Sequence, residues 1–234
     1  MRYSRNKRYF FPRRIGTAVL MLLSGLLTAT LGLDKGIMLS LIIGCVLLLG
    51  GIAMFALAVS TKLIKDSALD EQRDLFAADA VSRAMNHFGL TSEAVDAHEP
   101  VVIKTYYFNT KDAPALVKIG KDGVPRANNC EALVLLFSND TLYWYDFKFS
   151  LVFKDEITNT PDTILYTDIK NVAAEAAKLP CETTRWKKIF VNCKHFKIES
   201  ADKTLSAYLA TPDMQTTVDE VKAFLRRMRK TAAK

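Results

Sequence analysis

The chain has 234 residues, half of them hydrophobic, with 32 Lys or Arg against 25 Asp or Glu and a net charge of +7. That length holds one ordinary domain with something to spare. Six of the seven net charges fall in residues 1–14, while residues 60–234 are nearly balanced at 25 basic to 24 acidic, which excludes a basic nucleic-acid-binding domain.

Residues 1–14 form a basic arm that carries Arg2, Arg5, Lys7, Arg8, Arg13 and Arg14 and no acid. Two uncharged apolar runs follow, residues 15–33 and 37–59. A helix needs about 20 apolar residues to cross the hydrocarbon of a bilayer, so each run predicts a membrane span. Asp34, Lys35 and Gly36 separate them. A tight turn there keeps both charges out of the bilayer, where each would cost about 2.5–3.5 kcal/mol. Residues 15–59 therefore read as a two-helix transmembrane hairpin. The first run exceeds the apolar core of a cleaved signal peptide, roughly 7–15 residues, and it is not followed by a convincing A-x-A cleavage site.

The positive flank predicts that the arm stays on the cytoplasmic side, and Lys62 and Lys65 place the chain there again after the second helix. Both termini are expected to be cytoplasmic. The arm's basic residues are expected to contact anionic lipid, at about 1 kcal/mol each near the surface, with Tyr9, Phe10 and Phe11 at headgroup level. Within the spans, Gly25 and Ala29, with Gly44, Gly50 and Gly51, supply small surfaces for helix–helix packing. The two helices packing on each other accounts for them, and the same surface admits a homo-oligomer. Neither span holds an Asp, Glu, Lys, Arg or His, which argues against a proton relay or an ion-coupled transporter.

Residues 60–99 read as a juxtamembrane helix and linker. Over 61–90, Leu75, Phe76, Ala80, Val81, Ala84, Met85 and Phe88 recur at helical steps, and Gly89 supplies the stop. From Pro100 the period changes to two. Segments 101–109, 115–119, 131–138, 141–149, 163–169, 188–199 and 204–210 are rich in β-branched and aromatic residues and predict strands. Turns are expected at Lys121-Asp122-Gly123, Ser138-Asn139-Asp140 and Ala201-Asp202-Lys203. In 141–149, the face of Tyr143, Tyr145, Phe147 and Phe149 is the better core candidate. A terminal helix follows, with Thr217 and Glu220 at capping-box spacing and a stripe of Val218, Val221, Leu225 and Met228. Residues 100–234 thus form an α+β domain, a curved antiparallel sheet or small barrel capped by the C-terminal helix.

Catalytic and cofactor signatures are missing. The sequence has no GxxxxGK[ST], GxGxxG, HExxH or GxSxG, and His87, His98 and His195 lie far apart. Cys181, Cys193 and His195 lack the paired spacing of a structural zinc site, so no metal is expected. Asp168 is expected to make structural hydrogen bonds.

Seven or so strands with a capping helix resemble the pleckstrin-homology-like fold in its membrane-tethered bacterial form. The stretch IGKDGVPRANNCEALVLLFSNDTLYWYDFKFSL, followed by TILYTDIKNV, is similar to a family of uncharacterised bacterial proteins with two spanning helices. The motif residues here are Lys121-Asp122-Gly123 and Tyr166-Thr167-Asp168-Ile169. The resemblance implies an inner-membrane, multi-pass protein and transfers no catalytic or ligand residue. The expected function is a non-enzymatic, membrane-anchored interaction or scaffold module, with the bilayer, a protein at the cytoplasmic face or a second copy as partner. The alternative is an oligomeric membrane effector or small channel whose soluble domain senses a signal.

Overall fold

The computed structural model describes residues 3–11, 15–60, 64–91, 95, 98–108, 115–154, 157–184, 187–210 and 214–232. The chain divides into two units, a smaller one of residues 11–64 and a larger one made of two pieces, 1–10 and 65–234.

The smaller unit is a helical hairpin, α2 (Ile15–Asp34) and α3 (Met38–Ser60), turning at Gly36 with φ +66°. Both helices are long and apolar enough to cross a membrane, and only 22% and 11% of their most apolar windows are buried. A core helix of a soluble protein would be mostly covered. Here the exposed residues include Leu20, Leu23, Leu27, Leu39, Val46 and Leu49, while the buried ones are small. Gly25, Ala29 and Gly32 of α2 and Gly44 and Gly51 of α3 are buried. A Cβ at Gly25 would stand 2.7 Å from the Leu48 backbone nitrogen, one at Gly32 would stand 2.6 Å from that of Leu41, and one at Gly44 would overlap the Ala29 backbone. The helices thus approach backbone to backbone, and larger side chains on this seam would force them apart. Gly50 lies at the margin, where a Cβ would meet only the flexible Met21 Cε at 3.2 Å. The hydroxyl of Ser40 donates across the pair to the Thr28 carbonyl (3.1 Å).

The larger unit begins with α1 (Tyr3–Phe10) and resumes with α4 (Asp66–Phe76) and α5 (Ala80–Phe88). The helix expected over 61–90 is broken at residues 77–79. The Ala77 N–H closes the last turn of α4 on the Arg73 carbonyl, and Ala80 N–H bonds Ala77 in a new turn. Gly89 ends α5 in the left-handed conformation, φ +65°, with Leu90 N–H on the Met85 carbonyl, as the stop signal predicts.

Nine strands occur among the described residues, in three sheets. β1 (His98–Tyr106), β4 (Asn129–Phe137), β5 (Thr141–Ser150) and β6 (Ile157–Leu165) form an antiparallel sheet in that order. β7 (Asn171–Glu182), β8 (Lys188–Glu199) and β9 (Thr204–Leu209) form a second, and β2 (Val117–Ile119) with β3 (Pro125–Ala127) a small hairpin. Among the described residues no sheet closes into a barrel, and the architecture is α+β with separate, mostly antiparallel sheets. The segment 163–169 is not one strand. β6 starts earlier and carries Pro161, which an edge strand tolerates, while Tyr166–Asp168 is a 3₁₀ turn.

The first sheet is covered on both faces. Leu133, Leu135, Phe137, Leu142 and Trp144 enter the main core with Phe196, Ile198 and Leu209 from the second sheet and Val218, Val221 and Leu225 from α6 (Met214–Ala232). Trp144 stacks on Phe196 at 6.0 Å and 9°. The opposite face, Tyr143 to Phe149, lies under α4 and α5: Phe76 sits 4.6 Å from Phe149, and Phe88 5.0 Å from Tyr143. The expectation of one core face on this strand is therefore corrected, because α4 and α5 provide a second cover. Leu75, placed on their apolar face by its spacing, is 67% exposed. α6 begins at Met214, three residues before Thr217, so the proposed capping box lies inside the helix.

Candidate functional site

The most heavily connected polar cluster of the larger unit lies where its two pieces meet. α1 turns Asn6, Tyr9 and Phe10 inward and leaves Arg5, Lys7 and Arg8 exposed. The Asn6 amide donates to Gln72 Oε1 (2.7 Å) on α4 and to the Leu151 carbonyl (2.9 Å) after β5. The Tyr9 hydroxyl donates to Asp66 Oδ1 (2.8 Å), the first residue of α4. Lys118 on β2 donates to the Tyr9 carbonyl (2.8 Å), with its ammonium 4.1 Å from the centre of the Tyr9 ring. Asp66 also accepts the Lys121 backbone N–H (2.7 Å).

Arg126 on β3 is the centre of this cluster and is only 4% exposed. Its guanidinium forks onto Asp70 (2.9 and 2.7 Å) and onto Asp122 (2.9 and 2.7 Å). A planar guanidinium satisfies two carboxylates in this way, and a lysine could not. Asp122 Oδ1 also accepts the Val124 N–H (3.0 Å), and Gly123 turns the hairpin at φ +78°. The Arg126 hydrogen bond, helped by Val124, lowers the Asp122 carboxyl to about 2. Burial pushes Asp70 up, but hydrogen bonds from Arg126 and Tyr106 outweigh it and hold Asp70 below its ordinary value. Burial, then the bond to Asp66, raises the Tyr9 phenol. The Tyr106 hydroxyl donates to Asp70 (2.6 Å), and the Arg73 guanidinium stacks over the Tyr106 ring at 5.0 Å. The cluster joins α1, α4, β1 and the β2–β3 hairpin through charge-assisted bonds, and its groups are turned on one another. It has the chemistry of a clasp.

The sequence-expected residues fall as follows. Arg5, Lys7 and Arg8 are on the outer face of α1, whereas Arg2, Arg13 and Arg14 lie outside the described residues. Tyr9 and Phe10 are each 1% exposed inside the larger unit, which corrects their expected place at the lipid headgroups. Hydrogen bonds and packing to α4 and β2 take up the surface that a headgroup contact would have used. Gly25, Ala29, Gly44 and Gly51 lie on the α2–α3 seam and Gly50 at its margin. The Lys121-Asp122-Gly123 turn forms, and its Asp122 carboxylate proves to be half of the Arg126 fork. The Tyr166 hydroxyl donates to the Ser138 carbonyl (3.0 Å) and anchors its turn, while Asp168 is exposed and accepts from Thr167 Oγ1 (3.3 Å).

Cys181 and Cys193 are buried thiols raised by desolvation, with Sγ atoms 3.6 Å from the Phe108 carbonyl and 3.5 Å from that of Ala177. Raised thiols are poor nucleophiles. His195 stacks on Tyr208 at 4.2 Å, and burial lowers its pKa. Among the described residues, no group of three or more His, Cys, Asp or Glu is placed to hold a metal ion. Sequence reasoning missed Asn6, Asp66, Asp70, Tyr106 and Arg126. The one local signal was Asp122 and Arg126 flanking a Gly turn at a spacing of four.

Compared with known protein families, with characterised proteins and with solved structures, the chain has no significant match. The functional reading therefore rests on its own residues.

Proposed function

We propose that the chain is a membrane-anchored, non-enzymatic interaction module whose β-rich unit sits at the cytoplasmic face of the membrane spanned by α2 and α3. The observation that carries this reading is the insertion of residues 11–64, with the uncovered apolar helices α2 and α3, into a discontinuous unit. The Tyr9–Asp66 bond ties the residues flanking that insertion. An anchor whose two ends return to one clasp leaves from and re-enters the same side of a bilayer. A cleaved signal peptide would remove Asn6, Tyr9 and Phe10, which are buried parts of the fold. The surplus of Lys and Arg beside the hairpin favours the cytoplasmic side.

The strand order supports a pleckstrin-homology-like reading of the larger unit. A four-strand meander, a three-strand meander and a C-terminal helix packed on both follow one another in the chain, with β2–β3 as an insertion after β1. Fold alone carries no ligand. Apart from Asn6 Oδ1, which is buried without a hydrogen-bond partner, the polar groups of the clasp are taken up in hydrogen bonds, which favours binding or scaffolding over catalysis.

The test is alkaline carbonate extraction of membranes followed by protease treatment from either side. The full chain is expected to stay with the membrane pellet and to be digested from the cytoplasmic side, with the 34–36 turn the only segment reachable from the other. Release into the supernatant, or protection of the β-rich unit from cytoplasmic protease, would overturn the proposal.

A further inference from the structure

We propose that the larger unit carries a preassembled basic surface for anionic phospholipid headgroups, built from separated chain segments around the point where the apolar hairpin leaves it. This rests on the reading of α2 and α3 as membrane-spanning, and adds to it a lipid class and residues outside the arm.

The clasp brings the segments together. Tyr9 on Asp66 joins α1 to the start of α4, Lys121 N–H on Asp66 joins the β2–β3 turn, and Lys118 on the Tyr9 carbonyl closes the third side. Around these bonds Arg5, Lys7, Arg8, Lys65 and Lys121 are exposed and Lys118 is half-buried. The three carboxylates of the clasp are directed elsewhere. Asp70 and Asp122 clamp Arg126, and Asp66 takes the Tyr9 hydroxyl and a backbone N–H. Farther along α4, Asp74 is paired with Arg73, and Glu71 is exposed. Of the residues named here, the five basic ones after position 60 balance the five acidic ones, so the positive surplus is what α1 adds by docking Arg5, Lys7 and Arg8 beside Lys65, Lys118 and Lys121.

On that reading, chain connectivity limits how far this surface can stand from the bilayer. Residues 11–14 separate Phe10 from the first apolar run, and residues 60–64 separate the second run from Lys65. Five or six residue steps span at most about 20 Å. Basic residues held that close can enter the screening distance of an anionic leaflet, about 8–10 Å at ordinary ionic strength.

The test is hydrogen exchange of the full chain in lipid nanodiscs, either phosphatidylcholine alone or with about a third phosphatidylglycerol. Amides of residues 118–124 are expected to exchange at least about threefold more slowly in the anionic discs, with the difference lost at about 1 M salt, where the screening length is about 3 Å. Lys65→Gln/Lys121→Gln removes two charges but none of the clasp's hydrogen bonds, and is expected to abolish most of that protection. Lys65→Arg/Lys121→Arg is expected to keep it, and amides of β4 and β5 serve as the control for folding. Equal exchange in both discs, or protection that survives the Gln pair, overturns the proposal. So does the same protection from inorganic phosphate added to phosphatidylcholine discs, which would assign the surface to a soluble anion. A chain that does not enter the discs at all sinks the membrane reading along with it.

Discussion

The two units of this chain hold together by opposite means. The α2–α3 hairpin has no charge on its seam and almost no large side chain there. Gly25, Gly32 and Gly44 bring backbone against backbone, and Leu and Ile point outward. The larger unit places its aromatic side chains on both faces of one sheet and secures its edge with a carboxylate-clamped arginine. In water, burying Phe147 or Trp144 is itself favourable. In lipid, burial of Leu gains nothing over contact with acyl chains, so close packing of small residues must supply the attraction. The side chains each unit buries thus fit a hairpin whose apolar surface suits lipid and a larger unit folded in water.

Gly44→Leu breaks this contrast hardest. The new side chain would meet the Ala29 backbone, which cannot move aside as a side chain would, so loss of the folded chain from membranes is expected. Gly50→Leu faces only the end of Met21 and is expected to accumulate normally. Comparing the membrane yields of the two variants decides it, and equal yields would show that the seam does not hold the hairpin.

In the larger unit, Phe147→Ala is expected to cost about 3–5 kcal/mol, from a buried ring stacked between Phe76 and Phe149, and urea unfolding in detergent measures it. A cost below about 1 kcal/mol would mean that α4 and α5 do not cover this face. Arg126→Met has a smaller expected effect, about 1–3 kcal/mol. It leaves Asp70 and Asp122 without their partner, but both carboxylates are partly exposed and recover hydration. The same variant is expected to free α1, making residues 3–10 sensitive to protease while β4 and β5 stay protected.

The smallest effect is one of pH. Asp122 is held down at about 2, so its stabilising contribution is fully present above its ordinary carboxylate range and fades as pH falls through about 2. The difference in unfolding midpoint between the wild type and Asp122→Asn is expected to shrink between about pH 4 and pH 2. A difference that stays constant over that window would remove Asp122 from the clasp's acid response.

What the sequence discloses follows the range of each interaction. The two spans, the Gly89 stop, the α6 stripe and the β4–β5 hairpin are written in local periodicity and turn residues. β7 is not: Ala173, Ala174, Ala176 and Ala177 favour helix over strand, and pairing with β8 along the whole of 171–182 imposes the extended state. Choosing one core face for β5 presumed that only one face was covered, and Phe76 and Phe88 lie too far away in sequence to announce the second. The Arg126–Asp70 bond spans 56 residues and the Asn6–Leu151 bond 145, so no local pattern marks either.

That last separation has a consequence for how the protein is made. The arm is synthesised first, but Leu151, which accepts from Asn6, is translated 145 residues later. Until then Asn6 lacks that acceptor, so α1 cannot complete its docking while the apolar hairpin is being made. Once β5 is complete, Asn6, Tyr9 and Phe10 close on the finished unit and the hairpin becomes a loop fastened at both ends. On the reading proposed above, the same eight residues of α1 serve twice, as part of the charged flank of the first span and as a buried edge of the finished fold.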